Sequence, residues 1–260
     1  YTDVNNMRKI LIILSFLAIA STGNSQLQQM WLSSVSSDSS DLFITSWDTR
    51  LIDTGTTDSL SIKLPLVSSG TYDFIADWGD GSLDTITVWN QSETTHIYAS
   101  SGVYTITIDG VFEGIYFNNS GDRTKILTVE QWGNMKLGNT GGYLYGCTNL
   151  TSIANDLDSP STTNYSSAWR NCRSLTSFPL IDLSNGTVFA TTWRDCVSLT
   201  SFPLIDLSGG TSFSGCWYNC NSLTSFPLID VSSGTSFTSA WANCNSLTSF
   251  PLIDVSSGTS

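Results

Sequence analysis

A single histidine, His96, six cysteines and two groups of aspartates are the side chains whose types and spacing could do chemistry in this 260-residue chain. A Ser or Cys nucleophile needs a positioned base of suitable pKa, and one histidine set in a β-branched run leaves none for hydrolysis elsewhere. Packing is the reading for His96. Cys172, Cys196, Cys220 and Cys244 recur at a period of 24 residues, which matches no zinc-site spacing. Equivalent positions in successive coils stack about 5 Å apart with parallel side chains, a poor geometry for disulfide torsion. The expectation is a ladder of buried thiols acting as small apolar residues. Cys216 is unique to its copy, and its options are pairing with Cys220 or facing solvent.

Asp182, Asp206, Asp230 and Asp254 form a second ladder. Stacked carboxylates repel one another and suit Ca²⁺, the one cofactor the sequence offers. Each also precedes a Ser-x-Gly-Thr turn whose backbone N–H groups it can accept, and turn capping is the favoured role. Asp77, Asp80 and Asp84 around Trp78-Gly79-Asp80-Gly81 pose the same choice without a complete EF-hand pattern.

These residues are positioned by a repeat. Each copy reads Trp-x-x-Cys-x-Ser-Leu-Thr-Ser-Phe-Pro-Leu-Ile-Asp, with Trp169, Trp193, Trp217 and Trp241 in register. A unit this short cannot bury a core alone, whereas stacked copies can, so the period predicts a solenoid. The Trp ladder could stack sugars, yet large apolar residues at fixed register build cores. Leu144 holds the same place in an earlier, degenerate copy that contains Cys147 and Leu150. Residues 123–146 are read as an irregular first coil with Trp132 closing its end. Pro179, Pro203, Pro227 and Pro251 each remove a ladder donor. Two or three residues of parallel pairing per coil are expected, with extended backbone beyond and a helical turn near the Trp.

Positions that differ between copies mark where the scaffold imposes no choice. Arg170, Arg173, Arg194 and Tyr218 occupy such positions and are the candidate binding surface, a cationic strip on an acidic protein. With 10 basic and 22 acidic residues, the field repels nucleic acid and anionic membranes. Only 12% of residues are charged, a balance that suits β-rich secreted domains.

Upstream, residues 41–122 alternate short β-branched and aromatic runs with Gly, Asp and Ser. Seven strands are expected, over 42–47, 60–64, 71–78, 85–89, 94–98, 103–108 and 114–117, and this pattern suggests a β-sandwich. In the third, Tyr72, Phe74, Ala76 and Trp78 share one face. Met7-Arg8-Lys9 followed by Ile10 to Ala20 has the form of a secretory signal. No later segment approaches about 18 apolar residues, so no transmembrane segment is expected. The divisions are 1–20, signal peptide with upstream residues; 21–40, Ser-rich linker; 41–122, sandwich; and 123–260, solenoid. The last copy stops at Ser260, one residue before the Phe its register demands, and is read as truncated.

Two resemblances follow from these motifs. Trp78-Gly79-Asp80-Gly81-Ser82, Thr95-His96-Ile97-Tyr98 and Ser101-Gly102-Val103-Tyr104-Thr105 resemble the signature of PKD-type immunoglobulin-like domains, which implies a non-catalytic spacer or binding module. The repeat, with Leu175-x-x-Phe178-x-Leu180 and its later copies, resembles the leucine-rich repeats of bacterial BspA-like surface proteins. Together they imply a mainly β chain, an immunoglobulin-like sandwich followed by a leucine-rich-repeat solenoid. They imply a secreted or cell-surface adhesin for protein or glycan, not an enzyme. The alternatives are a structural stalk and an accessory module of a larger secreted hydrolase.

Overall fold

The computed structural model describes residues 38–259, so the expected signal peptide and most of the linker lie outside the described residues. The chain is mainly β. Among the described residues eight strands form, β1 (Phe43–Asp48), β2 (Ser61–Lys63), β3 (Leu66–Asp77), β4 (Leu83–Ile86), β5 (Thr95–Ile97), β6 (Val103–Ile115), β7 (Ile126–Gln131) and β8 (Ser152–Ile153). Six make one sheet in the order β4-β3-β6-β1-β7-β8, and β2 pairs with β5 in a second.

Alternation sets the faces. Along β3, Tyr72, Phe74 and Ala76 are buried, as is Trp78 just beyond, while Asp73 is exposed, as period-2 side-chain geometry requires. Opposite them on β6, Tyr72 pairs with Phe112 and Ala76 with Ile108. Trp47 on β1 pairs with Tyr104 and is itself buried. Its indole Nε1 donates to Thr45 Oγ1 at 2.7 Å, so the buried donor is satisfied. The turn after β3 uses Asp77 and Asp80, whose carboxylates accept the N–H groups of Gly79 and Ser82, both at 2.9 Å.

Two differences from the expected strands have local causes. The sixth and seventh expected strands are one, β6, running through Gly110 and Gly114. Gly110 has φ 124°, and a Cβ there would meet Asp73 O at 2.5 Å, so glycine lets the strand continue in register past a close approach instead of ending it. The fourth ends early at Ile86, because Gln91 Oε1 takes the N–H groups of Thr87 and Val88 at 2.8 and 3.1 Å.

The 24-residue copies stack. β7 pairs antiparallel with β1 and parallel with β8, so the six-stranded sheet runs without a break across residues 122 and 123. Beyond β8 the pairing is reduced to isolated parallel bridges one period apart, such as Ser177 with Ser201 and Val188 with Ser212. The expected two residues of parallel pairing are reached between β7 and β8, and later coils hold separate single bridges in place of a continuous run. Thr187, Thr211 and Thr235 each donate their N–H to the carbonyl one coil earlier at 2.8 Å, and threonine hydroxyls double several such links. Near each Trp the backbone forms turns, not the expected helical turn. Those turns need a left-handed residue two places after Trp, where Asn171, Asp195, Asn219 and Asn243 have φ of 60–63°. Asn and Asp tolerate that region best among residues with a Cβ.

Rings fill the stack. Trp169, Trp193, Trp217 and Trp241 lie within 9° of parallel at centroid separations of 5.8, 5.6 and 5.2 Å. Phe178, Phe202, Phe226 and Phe250 form a second ladder and meet the indoles edge-on. Tyr165, Phe189, Phe213 and Phe237 form a third. The first three members of the Trp ladder are fully buried. Their Nε1 atoms make no hydrogen bond to the described residues, so ring packing holds them without polar help.

The proline after each Phe has a further effect. Ile205, Ile229 and Ile253 donate their N–H to Pro203, Pro227 and Pro251 carbonyls at 3.0–3.1 Å, a three-residue γ-turn with leucine at its centre. The leucines at this position point outward in all four copies, including Leu180, so strand-like alternation and not the turn alone turns them out. Leu180, Leu204, Leu228 and Leu252 are 63%, 66%, 64% and 99% exposed, while Ile181, Ile205 and Ile229 beside them are buried.

Candidate binding surfaces

The residue after each Trp, or after Leu144 in the first full coil, lies partly exposed. The structure brings Arg170 over Tyr145, guanidinium carbon to ring centroid 4.9 Å, and Arg194 over Tyr218 at 4.3 Å. Successive coils therefore present Tyr145, Arg170, Arg194 and Tyr218. The two arginines are neighbours in the stack yet lean in opposite directions, each onto a ring in the coil away from the other. Cation–π contact at such sites is worth about 0.5–1 kcal/mol and limits repulsion between them. Arg194 also meets Asp195 at 3.4 Å, Asn219 Nδ2 donates to Asp195 at 2.9 Å, and Asn243 Nδ2 donates to Tyr218 Oη at 3.0 Å. Arg173 is exposed and is held by Asn171 Oδ1 at 2.6 Å. Tyr145 is the member that the sequence reading missed. Its signal was the position after Leu144, already aligned with Trp.

The aspartate ladder caps turns. Asp182, Asp206, Asp230 and Asp254 each accept the N–H of the serine two residues on, at 2.9 Å, and Asp206 and Asp230 also take that serine's hydroxyl at 2.7 Å. Hydrogen bonds from Ser184 hold the Asp182 carboxyl below the usual carboxylate range, and those from Ser232 and Ser256 do the same for Asp230 and Asp254. Among the described residues no three His, Cys, Asp or Glu side chains gather in a group that could hold a metal. In the hairpin, Asp84 accepts Trp78 Nε1 at 2.9 Å, and Asp80 Oδ2 lies 2.9 Å from His96 Nε2. His96 stacks on Trp78 at 4.9 Å, which is a packing arrangement.

All six cysteines are free, and five, including Cys216, are buried. Cys172, Cys196, Cys220 and Cys244 point their Sγ atoms at the carbonyls of Leu144, Trp169, Trp193 and Trp217, 3.1–3.3 Å away. Burial pushes the five buried thiols well above the ordinary value, so none is primed as a nucleophile.

The row of outward leucines is the second surface, and it was not foreseen. Its signal lay in the alternation Leu180 out, Ile181 in, Asp182 out, which the repeated Pro-Leu-Ile-Asp already encodes. Among the described residues no helix is long and apolar enough to cross a membrane. No protein-family model, curated protein or solved structure matches the chain.

Proposed function

We propose that this chain is an extracellular, non-catalytic binding protein in which a PKD-like, immunoglobulin-like sandwich leads into a leucine-rich-repeat-like solenoid. On this reading it is an adhesin, and its ligand is a protein or glycan. The observation that carries the proposal is the strip Tyr145, Arg170, Arg194 and Tyr218. Rigid coils hold two aromatic rings and two guanidinium groups side by side, and aromatics and arginine are the residues that most often anchor interfaces. A tyrosine ring suits an apolar side chain or the C–H face of a sugar, and a guanidinium suits a carboxylate. The BspA-like and PKD-like motifs support the same class.

The test is binding of the whole chain to arrays of glycans and matrix proteins. A ligand whose capture is lost in Arg170→Ala/Arg194→Ala supports the reading, while arrays that capture nothing overturn it.

A further inference from the structure

We infer that the leucine row is a second docking surface, independent of the arginine–tyrosine strip, and that it takes a basic amphipathic helix laid along the stack. Leu180, Leu204, Leu228 and Leu252 are all more than 60% exposed, and they recur once per coil. Exposed leucines scattered singly are ordinary, but four in register make a continuous apolar stripe. Pro179, Pro203, Pro227 and Pro251, each half-buried, adjoin it.

Spacing selects the occupant. The nearby Phe ladder repeats at 6.0, 5.7 and 5.5 Å, and the Trp ladder at 5.2–5.8 Å. An α-helix repeats its apolar stripe once per turn, every ~5.4 Å. A helix aligned with the stack can thus set one apolar side chain against each leucine over about three turns. An extended strand, with same-face residues nearly 7 Å apart, would lose register within two coils.

Charge selects its flank. Asp182, Asp206, Asp230 and Asp254 are exposed two residues beyond the leucines, on the same side of the backbone, because the residue between is buried in three copies and half-buried in the fourth. Among the described residues none of these aspartates is in a salt bridge. A helix with Lys or Arg beside its apolar stripe would meet this acidic row. A second copy of this chain brings net charge −12 and, among the described residues, only three-residue 3₁₀ helices. An anionic bilayer would be repelled by the same aspartates.

The probe is a labelled synthetic helix of Leu and Lys, with Leu at i, i+3, i+4 and i+7, titrated against the whole chain by fluorescence anisotropy. A matching Leu and Glu peptide is the control. The expected result is binding of the Lys peptide alone. Leu204→Ser/Leu228→Ser weakens it roughly tenfold or more, and Asp206→Asn/Asp230→Asn weakens it and flattens its salt dependence. Both variants change exposed side chains, so unchanged circular dichroism and melting confirm that they fold. Arg170→Ala/Arg194→Ala leaves the peptide bound, which separates this surface from the strip tested on arrays. Failure of the Lys peptide to bind, equal binding of the Glu peptide, or unchanged affinity in the leucine variant overturns the inference. Self-association of the chain, or capture of anionic vesicles, that the leucine variant abolishes also overturns it, by giving the face another occupant.

Discussion

The Lys125 ammonium and the Asp122 carboxylate stand 3.7 Å apart, both fully buried, and together they clasp the loop that leads into β2. Lys125 Nζ has Thr57 O, Thr57 Oγ1, Asp58 O and Ser61 O around it at 2.6–3.1 Å, four acceptors that share its three N–H groups. Asp122 accepts the N–H groups of Thr57 and Lys63 at 2.6 and 2.7 Å, and the Thr57 hydroxyl at 2.8 Å. Lys125→Met leaves Asp122 buried without its cation. Such a break costs about 3–5 kcal/mol, and urea unfolding of the variant should show it. Loss of less than about 1 kcal/mol would mean that the loop is held by other contacts.

Stability should fall steeply at alkaline pH. Burial keeps the thiols of Cys147, Cys172, Cys196, Cys216 and Cys220 protonated in the fold, and raises Cys244 as well. In the unfolded chain thiols ionise above about pH 8.5. The unfolded chain then binds fewer protons than the native one, so each such thiol lowers stability by about 1.4 kcal/mol per pH unit. Lys125 acts oppositely, because desolvation lowers its pKa and the unfolded chain holds the extra proton. One lysine against six thiols leaves the slope negative. Urea midpoints at pH 8 and pH 10 measure it, and Cys196→Ala should make it shallower.

The same burial predicts slow thiol chemistry. With native protein, a disulfide reagent such as DTNB should label Cys244 first and the five buried thiols only on unfolding, and all six should react in denaturant. Rapid native labelling of Cys172 or Cys196 would contradict the packed ladder.

Removing an indole from the stack should be costly. Trp193 is fully buried between Trp169 and Trp217, and Trp193→Ala should lose about 3–5 kcal/mol in thermal or urea unfolding. The left-handed turn beside it contributes less. Asn171→Ala should cost about 1 kcal/mol, and Asn171→Gly should recover most of that.

Chelation should leave the melting temperature unchanged, because each aspartate of the ladder is satisfied by its own turn. An increase in melting temperature with millimolar Ca²⁺ would instead assign those carboxylates to the ion.

What the sequence made legible was register. Trp, Cys, Phe and Leu at one period placed the ladders, and alternation in β3 placed Tyr72, Phe74 and Trp78 in the core. Punctuation misled where it had two meanings. Gly110 falls in the gap between two expected strands, but it continues one strand where a Cβ would clash with Asp73 O. Pro203 reads as a lost ladder donor, but its carbonyl also closes the turn on which Leu204 stands exposed. The Gly110 outcome depends on a neighbour in space that a one-dimensional pattern does not carry, whereas the Pro203 outcome is local and was legible in Pro-Leu-Ile-Asp. Arg170 and Arg194 were found because the copies disagree there, whereas Tyr145 was hidden in a copy whose Trp is replaced by Leu144.

The four near-parallel indoles have an optical consequence. At 5.2–5.8 Å their transition dipoles couple strongly, so excitation absorbed by Trp217 is shared with Trp193 and Trp241 before it is emitted. The stack therefore reports on itself. The shift that this coupling imposes on the near-ultraviolet absorption will vanish when coils part, even where each indole stays shielded from water, and that signal distinguishes loss of stacking from loss of burial.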